Sequence, residues 1–242
     1  MFGHIKAAIR YLRVLLLRIR SGFAKEEQIE GTTLILAPHP DDECIGCSGL
    51  IARLVREGNP PHIIIMTGGE ASHRGCCNIP EETIIRNRRL LTMEAVGVLG
   101  VSREYIHFLD FEDGSISQNL SSEIVRIRNI ISQMKPKNIL LPHSGEGWAD
   151  HLATRSIGLN LASADCRVWE YCVWMWYYNV WHLDWKNARI LRMKESEYKL
   201  KLRAMDVYVK PIAPCGKPWS GVLPSIFLWA NKWNKELFFK VK

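Results

Sequence analysis

Several familiar signatures are missing from this 242-residue chain. It has no glycine-rich phosphate loop, and no basic stretch carries the interleaved aromatics of an RNA-binding surface, so neither a nucleotide cofactor nor a nucleic acid is expected. No apolar run is long and uncharged enough to cross a bilayer. The N-terminus lacks the small-residue cleavage site of a secretory signal. Internal repeats, low-complexity tracts and linker-like segments are absent as well. The seven cysteines, Cys44, Cys47, Cys76, Cys77, Cys166, Cys172 and Cys215, are odd in number and irregularly spaced. That excludes a fully paired disulfide framework and fits a reducing, cytoplasmic compartment. Cys44-x-x-Cys47 has no second pair to complete a structural zinc site. Small thiols facing the core from a helix start are the simpler reading, with a redox or zinc pair as the alternative.

The bulk of the chain is ordinary: 47% apolar and 24% charged residues, enough length for one well-packed domain, and a formal net charge of +7. That excess suggests an anionic partner or surface without identifying one. Thr32–Leu36, His62–Met66, Tyr105–Leu109 and Asn138–Leu141 read as buried strands. Gly46–Glu57, Glu81–Leu99, Ser121–Met134, Asp150–Ala164 and Lys194–Met205 read as helices, several bounded by Gly or Pro. This alternation predicts an α/β fold, a Rossmann-like three-layer sandwich with a mainly parallel sheet and helices on both faces. A single domain is expected over 26–242, preceded over 1–25 by a basic amphipathic helix. In that helix Ile5, Ala8, Ile9, Leu12, Leu15, Leu16 and Ile19 recur at helical spacing, with Lys6, Arg10, Arg13, Arg18, Arg20 and Lys25 mostly on other faces. Two readings stay open. The helix packs on the domain or a partner subunit, or it lies over residues 5–24 on the anionic inner face of a membrane. From Val168 to Trp185 aromatics are dense, including Trp169, Trp174, Trp176, Trp181 and Trp185. They either fill the core and cover a sheet edge, or stack on a sugar or sit at a membrane interface. Pro211–Lys242 has no assignable pattern.

The chemistry concentrates in two places. Pro38-His39-Pro40-Asp41-Asp42-Glu43 follows the first strand and sets one imidazole beside three carboxylates. Two prolines stiffen the loop. Adjacent Asp41 and Asp42 leave the backbone in different directions, so one can bind a metal while the other faces what the metal activates. About a hundred residues later, Leu140-Leu141-Pro142-His143 leads to Asp150-His151. Two strand ends offering His, Asp and His form a three-ligand set with a position open to water, as in catalytic zinc sites.

At His39-Pro40-Asp41-Asp42-Glu43 the chain resembles the LmbE/PIG-L family of zinc-dependent N-deacetylases, whose members typically remove an acetyl group from an N-acetylglucosamine unit. Cys44-Ile45-Gly46-Cys47-Ser48-Gly49, Thr67-Gly68-Gly69-Glu70, Asp113-Gly114, the helix positions Arg88, Ala95, Leu99 and Gly100, and Lys201, Ala204 and Met205 are similar to family patterns. Pro142–His151 is similar to the second metal motif. The resemblance implies His39, Asp42 and His151 as ligands of Zn2+, or of Fe2+ in the cell, and Asp41 as general base. It implies Asp150 as support for a metal-site histidine or a catalytic partner. Arg88 and Asp113 would grip sugar hydroxyls or an aglycone, and Trp148 and Glu146 complete the expected substrate contacts. The substrate would be an N-acetylated amino sugar, free or in a glycoconjugate, and a homo-oligomer is compatible with this class. Trp148 departs from the family, which usually has His there to polarise the amide. An indole N–H donates a hydrogen bond but cannot shuttle a proton. Another group such as His143 or His182 would then take that role, or the zinc would carry most of the oxyanion charge, or the protein is a weak or inactive metal- and carbohydrate-binding relative.

Overall fold

The apolar segments expected as strands pair into one eight-stranded sheet in the computed structural model, which describes residues 2–75, 78–118, 122–178 and 182–241. Cys76, Cys77, Ser121 and Trp181 lie outside the described residues. In chain order the strands are β1 (Lys25–Glu26), β2 (Thr33–Ala37), β3 (His62–Thr67), β4 (Ile106–Phe111), β5 (Asn138–Pro142), β6 (Arg167–Tyr171), β7 (Ala188–Arg192) and β8 (Lys235–Lys240). Across the sheet they run β1-β7-β8-β6-β5-β2-β3-β4. β2 pairs in parallel with β3 on one side, Ile35 opposite Ile63, and with β5 on the other, Leu34 opposite Ile139. The chain builds outward from β2 to β4, then returns to set β5 on the opposite flank of β2. Such a reversal opens a crevice at the carboxyl ends of the two flanking strands, and ligands bind there in open α/β sheets.

The helices are α1 (Phe2–Ser21), α2 (Asp42–Arg56), α3 (Glu81–Val98), α4 (Ser122–Met134), α5 (Ala149–Leu161), α6 (Glu195–Val209) and α7 (Ser225–Asn231). Every residue of β2 and β5 is buried, as parallel strands covered on both faces require. Side chains alternate between two cores. Ile35, Ala37, Ile63 and Ile65 meet Cys44 and Ile51 of α2, Leu91 and Ala95 of α3, and Ala204 and Met205 of α6. Leu34, Leu36, Ile64 and Met66 meet Ile127 of α4 and Ile157 of α5. Cys44 and Cys47 are fully buried in the first core and carry free thiols, as the simpler reading held.

The unassigned C-terminal segment completes the sheet. β8 enters antiparallel between β6 and β7, pairing Glu170 with Phe239 and Ile190 with Leu237. Phe238 joins the first core, and Phe239 on the other face joins a third cluster with Val14 and Trp176. Within this strand the buried Glu236 accepts the Gly49 and Leu50 N–H groups at 2.8 and 3.0 Å and the Lys201 ammonium at 3.0 Å. Trp169 and Trp176 are buried in the core, in line with the core-filling reading.

The N-terminal helix packs on the domain with an unexpected face. Val14 is fully buried against β7, β8 and α7 residues. Beside it Arg13 reaches the carbonyl oxygens of Met175 and Trp176, Arg18 those of Trp229 and Ala230, and Arg10 donates to the Tyr177 hydroxyl at 2.8 Å. The apolar residues that periodicity would bury point to solvent instead: Ile9 is 55%, Leu12 57%, Leu16 54% and Ile19 54% exposed. The Arg13 and Arg18 guanidinium groups satisfy carbonyls of the turn after β6 and of the end of α7, and that requirement selects the docking face. No helix among the described residues is long and apolar enough to cross a membrane.

Candidate metal and catalytic site

The crevice between β2 and β5 gathers the residues singled out in the sequence. After β2, the Pro38 carbonyl accepts the Thr67 N–H at 3.1 Å and its hydroxyl at 2.9 Å, which ties the loop to the end of β3. Asp41 then adopts φ 129°, a left-handed conformation that costs a non-glycine residue on the order of 1–3 kcal/mol. Its surroundings hold it there. The Asp41 N–H donates to Glu43 Oε2 at 3.1 Å, its carbonyl accepts the Cys44 and Ile45 N–H groups, and Glu43 Oε1 accepts the Tyr208 hydroxyl. This turn starts α2 at Asp42 and sends the Asp41 and Asp42 side chains apart. Arg88, from α3, closes the arrangement: it donates to Asp41 Oδ2 at 3.1 Å, to the Gly69 carbonyl at 2.9 Å and to the Pro40 carbonyl at 2.6 Å. A Cβ on Gly69 would lie 2.4 Å from that guanidinium, so glycine is required at this close approach.

Asp42 sits between two imidazoles, with Oδ2 3.2 Å from His39 Nδ1 and 3.3 Å from His151 Nε2. Four ligands at about 2.0–2.1 Å around a tetrahedral ion are separated by about 3.3 Å. The donor set therefore fits a divalent metal in spacing and in chemistry. His151 adds an independent sign: it is fully buried, and neither ring nitrogen has an aligned hydrogen bond. An orphaned buried nitrogen is costly unless it has a ligand. The outward nitrogens face carboxylates. His39 Nε2 lies 3.1 Å from Asp113 Oδ1 and 3.4 Å from Asp150 Oδ2, and His151 Nδ1 lies 3.3 Å from Glu146 Oε2. Carboxylates in these places keep the proton on the outward nitrogen and the lone pair on the inward one. His39, Asp113 and Asp150 form a second group close enough to hold an ion, sharing His39 with the first.

Electrostatics follow from burial among carboxylates. Burial alone would push the His39 imidazole down, but Asp113, Asp150 and Asp42 reverse this and hold it well above its ordinary value. Burial, opposed by Arg88 and reinforced by Asp42 and Glu43, pushes Asp41 well up. Asp42 is held down against burial by His151 and His39. Asp113, despite burial, is held at about 2, chiefly by His39.

A cavity of about 270 Å³ opens over these groups. Its floor is polar: His39, Asp41, Asp42, Arg88, Asp113, Asp150 and His151. Its wall is apolar, formed by Ile45, Trp148, Trp174, Leu223 and Phe227. Trp148 is 46% exposed at the rim, edge-on to Trp174 with ring centroids 5.6 Å apart.

Some expected contacts need correction. Glu146 is fully buried and does not line the cavity; it accepts the N–H groups of Val173, Trp174 and Met175 behind His151. A carboxylate saturated by the backbone has no side left for substrate. Neither His143 nor His182 lines the cavity. His143 accepts the Gly145 N–H and packs on Phe239, and His182 is exposed on the surface. Arg88 and Asp113 do line it, yet both are engaged internally, Asp113 with His39 and the Ala71 N–H. Sequence reasoning missed Glu43 and Tyr208 as the holders of Asp41, Glu70 as acceptor of the Asp113 N–H at 2.7 Å, and Trp174, Leu223 and Phe227 as cavity wall. Trp174 was visible in the aromatic cluster. Nothing local marked Leu223 or Phe227.

Comparison with known proteins shows the family and the fold. A family model described as PIG-L, GlcNAc-PI de-N-acetylase, matches residues 34–162, which contain both clusters. The uncharacterized deacetylase YaiS of Escherichia coli K12 is 30% identical over 125 residues, half of this chain. The chain spans less than two thirds of the curated relatives it matches, 62% of YaiS and 30% of another. Among solved structures, the A40926 pseudoaglycone deacetylase Dbv21 superposes with a TM-score of 0.67 at 18% identity, over 88% of this chain and 97% of that one. The N,N'-diacetylchitobiose deacetylase of Pyrococcus horikoshii gives 0.60 at 20% identity, over 79% and 75%. At these identities the likeness is one of fold.

Proposed function

The chain belongs to the PIG-L, GlcNAc-PI de-N-acetylase, family, and on that premise we propose that it is a metal-dependent hydrolase releasing acetate from an N-acetylglucosamine-type amino sugar. The observation that carries this reading is the convergence of His39 Nδ1, Asp42 Oδ2 and His151 Nε2 on one point of a cavity whose floor also presents Asp41. These three residues would hold the metal, zinc or ferrous iron. When bound, it supplies Lewis-acid activation of water and of the amide carbonyl.

The chain's own residues do the rest. Asp41 accepts a proton from the attacking water, whose oxygen bonds to the acetyl carbon. It returns that proton to the amide nitrogen as the C–N bond breaks, leaving acetate and a free amine. A raised pKa suits both halves of that exchange. Arg88 holds the Asp41 carboxylate in place and in charge balance. Asp113 and Asp150 keep the His39 proton on Nε2, and Glu146 orients His151. Trp148 and Trp174 offer aromatic faces on which a pyranose ring can stack.

A second reading is favoured by one observation: Trp148 occupies the rim and, among the described residues, no histidine lines the cavity besides His39 and His151. A protein that binds metal and sugar without turnover is compatible with that. The deciding experiment is acetate release from N-acetylglucosamine and its conjugates by metal-loaded protein beside Asp41→Asn. Release abolished by the substitution supports the hydrolase. Sugar binding without release from any conjugate supports the binding protein and makes Trp148→His the next variant.

A further inference from the structure

The exposed side of α1 is organised. Ile5, Ile9, Leu12, Leu16 and Ile19 recur at intervals of four and three residues, with Phe23 just past the helix end, and each is at least half exposed. Leu15, 47% exposed, and the exposed Ala8 widen the stripe on one side. At 100° per residue the apolar face subtends about 120°. On the opposite face Val14 and the Arg13 and Arg18 guanidinium groups attach the helix to the domain. The helix is therefore anchored by its cations and presents hydrocarbon outward, the reverse of an ordinary surface helix. Seven large apolar side chains in one stripe far exceed the scattered exposure of a soluble surface.

We infer that this face is a docking surface for an anionic lipid bilayer, into which α1 inserts its apolar stripe parallel to the membrane plane. Charge selects this occupant. Residues 1–25 carry six cations, Lys6, Arg10, Arg13, Arg18, Arg20 and Lys25, and no acidic residue. Lys6, Arg20 and Lys25 are exposed along the stripe or just past it, placed to meet phosphate groups. Tyr11 and Trp229, both more than one-third exposed with ring centroids 5.2 Å apart, border the stripe and suit the headgroup level. A second copy of the chain is the competing occupant, since the intervals of four and three also describe a coiled-coil seam. There Lys6, Arg13 and Arg20 would flank the seam on one side and Ala8, Leu15 and Gly22 on the other, so no acid opposes any cation in either orientation. Two such helices repel, whereas an anionic surface attracts both.

The test uses the full chain, sedimented with phosphatidylcholine vesicles with or without phosphatidylglycerol, beside Leu12→Glu/Leu16→Glu and the milder Leu12→Ser/Leu16→Ser. Circular dichroism checks each fold and light scattering gives each mass. The expected result is a monomer that binds the phosphatidylglycerol vesicles, binds neutral ones more weakly, and loses about a hundredfold or more in partitioning in the Glu variant, less in the Ser variant. A folded wild type that ignores both vesicles overturns the inference, as does binding unchanged by the substitutions. So does a dimer that the substitutions dissociate, which would assign the stripe to self-association.

Discussion

Replacing Glu146 by Gln separates a residue that builds the site from one that touches substrate. The carboxylate accepts the Val173 N–H at 2.8 Å and the Met175 N–H at 3.3 Å on Oε1, and the Trp174 N–H at 2.5 Å on Oε2, which also faces His151 Nδ1 at 3.3 Å. A glutamine offers one acceptor oxygen. In its better orientation that oxygen keeps Val173 and Met175, and the amide N–H₂ then opposes the Trp174 N–H donor and the His151 ring. One orphaned buried donor costs about 1–3 kcal/mol, and the lost charge assistance brings the total to about 2–4 kcal/mol. For a chain of this length that lowers the melting temperature by roughly 5–12 °C. His151 also loses the partner that fixes its tautomer, so metal affinity falls about 10–100-fold. Thermal unfolding of the metal-free protein measures the first effect, and competitive titration with a chromogenic chelator measures the second. At saturating metal, KM for the amino sugar stays near wild type. Unchanged melting and metal affinity with a raised KM would refute this reasoning and return Glu146 to the substrate-contact role read from the sequence.

Asp41→Asn keeps metal stoichiometry, read by elemental analysis, and lowers kcat by about 10²–10⁴-fold; activity within threefold of wild type removes Asp41 as the base. Arg88→Met leaves the buried Asp41 carboxylate unpaired and costs about 3–5 kcal/mol in urea unfolding; a loss below 1 kcal/mol contradicts the pairing. Burial, with Arg155 beside it, holds His143 at about 4. The unfolded chain takes up that proton first as pH falls below about 6.5, so up to about 3 kcal/mol is lost between about pH 6.5 and 4, with no further loss below. His143→Gln should flatten that slope, and a parallel slope in both proteins contradicts it. In the metal-free protein three carboxylates hold the His39 proton well above its ordinary pKa, so metal uptake must expel it. Calorimetry in buffers of different ionisation enthalpy should show proton release near pH 7 and affinity rising with pH; uptake without proton release rules this out.

Much of the fold was legible because its signals are local. Parallel strands covered on both faces need unbroken apolar runs, and Leu34–Leu36, Ile63–Ile65 and Ile139–Leu141 are such runs. Both ends of the candidate site were legible because each is a short motif: one directly after β2, the other at the start of α5, after the loop that follows β5. β7 and β8 were not. Ala188–Arg192 carries two arginines among its apolar residues, and Lys235–Lys240 begins Lys-Glu and ends in Lys, so neither is an unbroken apolar run. Each is completed as a strand by partners far along the chain: they pair with each other across more than forty residues, and with β1 and β6 on their outer sides, contacts that no local window contains. Glu146 misled, and the face by which α1 packs stayed open, for a related reason. A carboxylate between two loop glycines and an amphipathic helix each have two self-consistent placements, and only the partner surface chooses between them.

By itself the sequence determined the α/β alternation, the His39-Asp41-Asp42 and Asp150-His151 clusters, and the cationic amphipathic N-terminus, because composition and spacing along contiguous segments suffice for each. Tertiary structure alone decided which carboxylate faces which imidazole and that Arg88 clamps Asp41. It also decided that Trp174, Leu223 and Phe227 wall the cavity and that α1 turns its hydrocarbon outward. Those outcomes depend on buried donors and acceptors finding partners far along the chain, and that requirement can be met only once the sheet has brought them together.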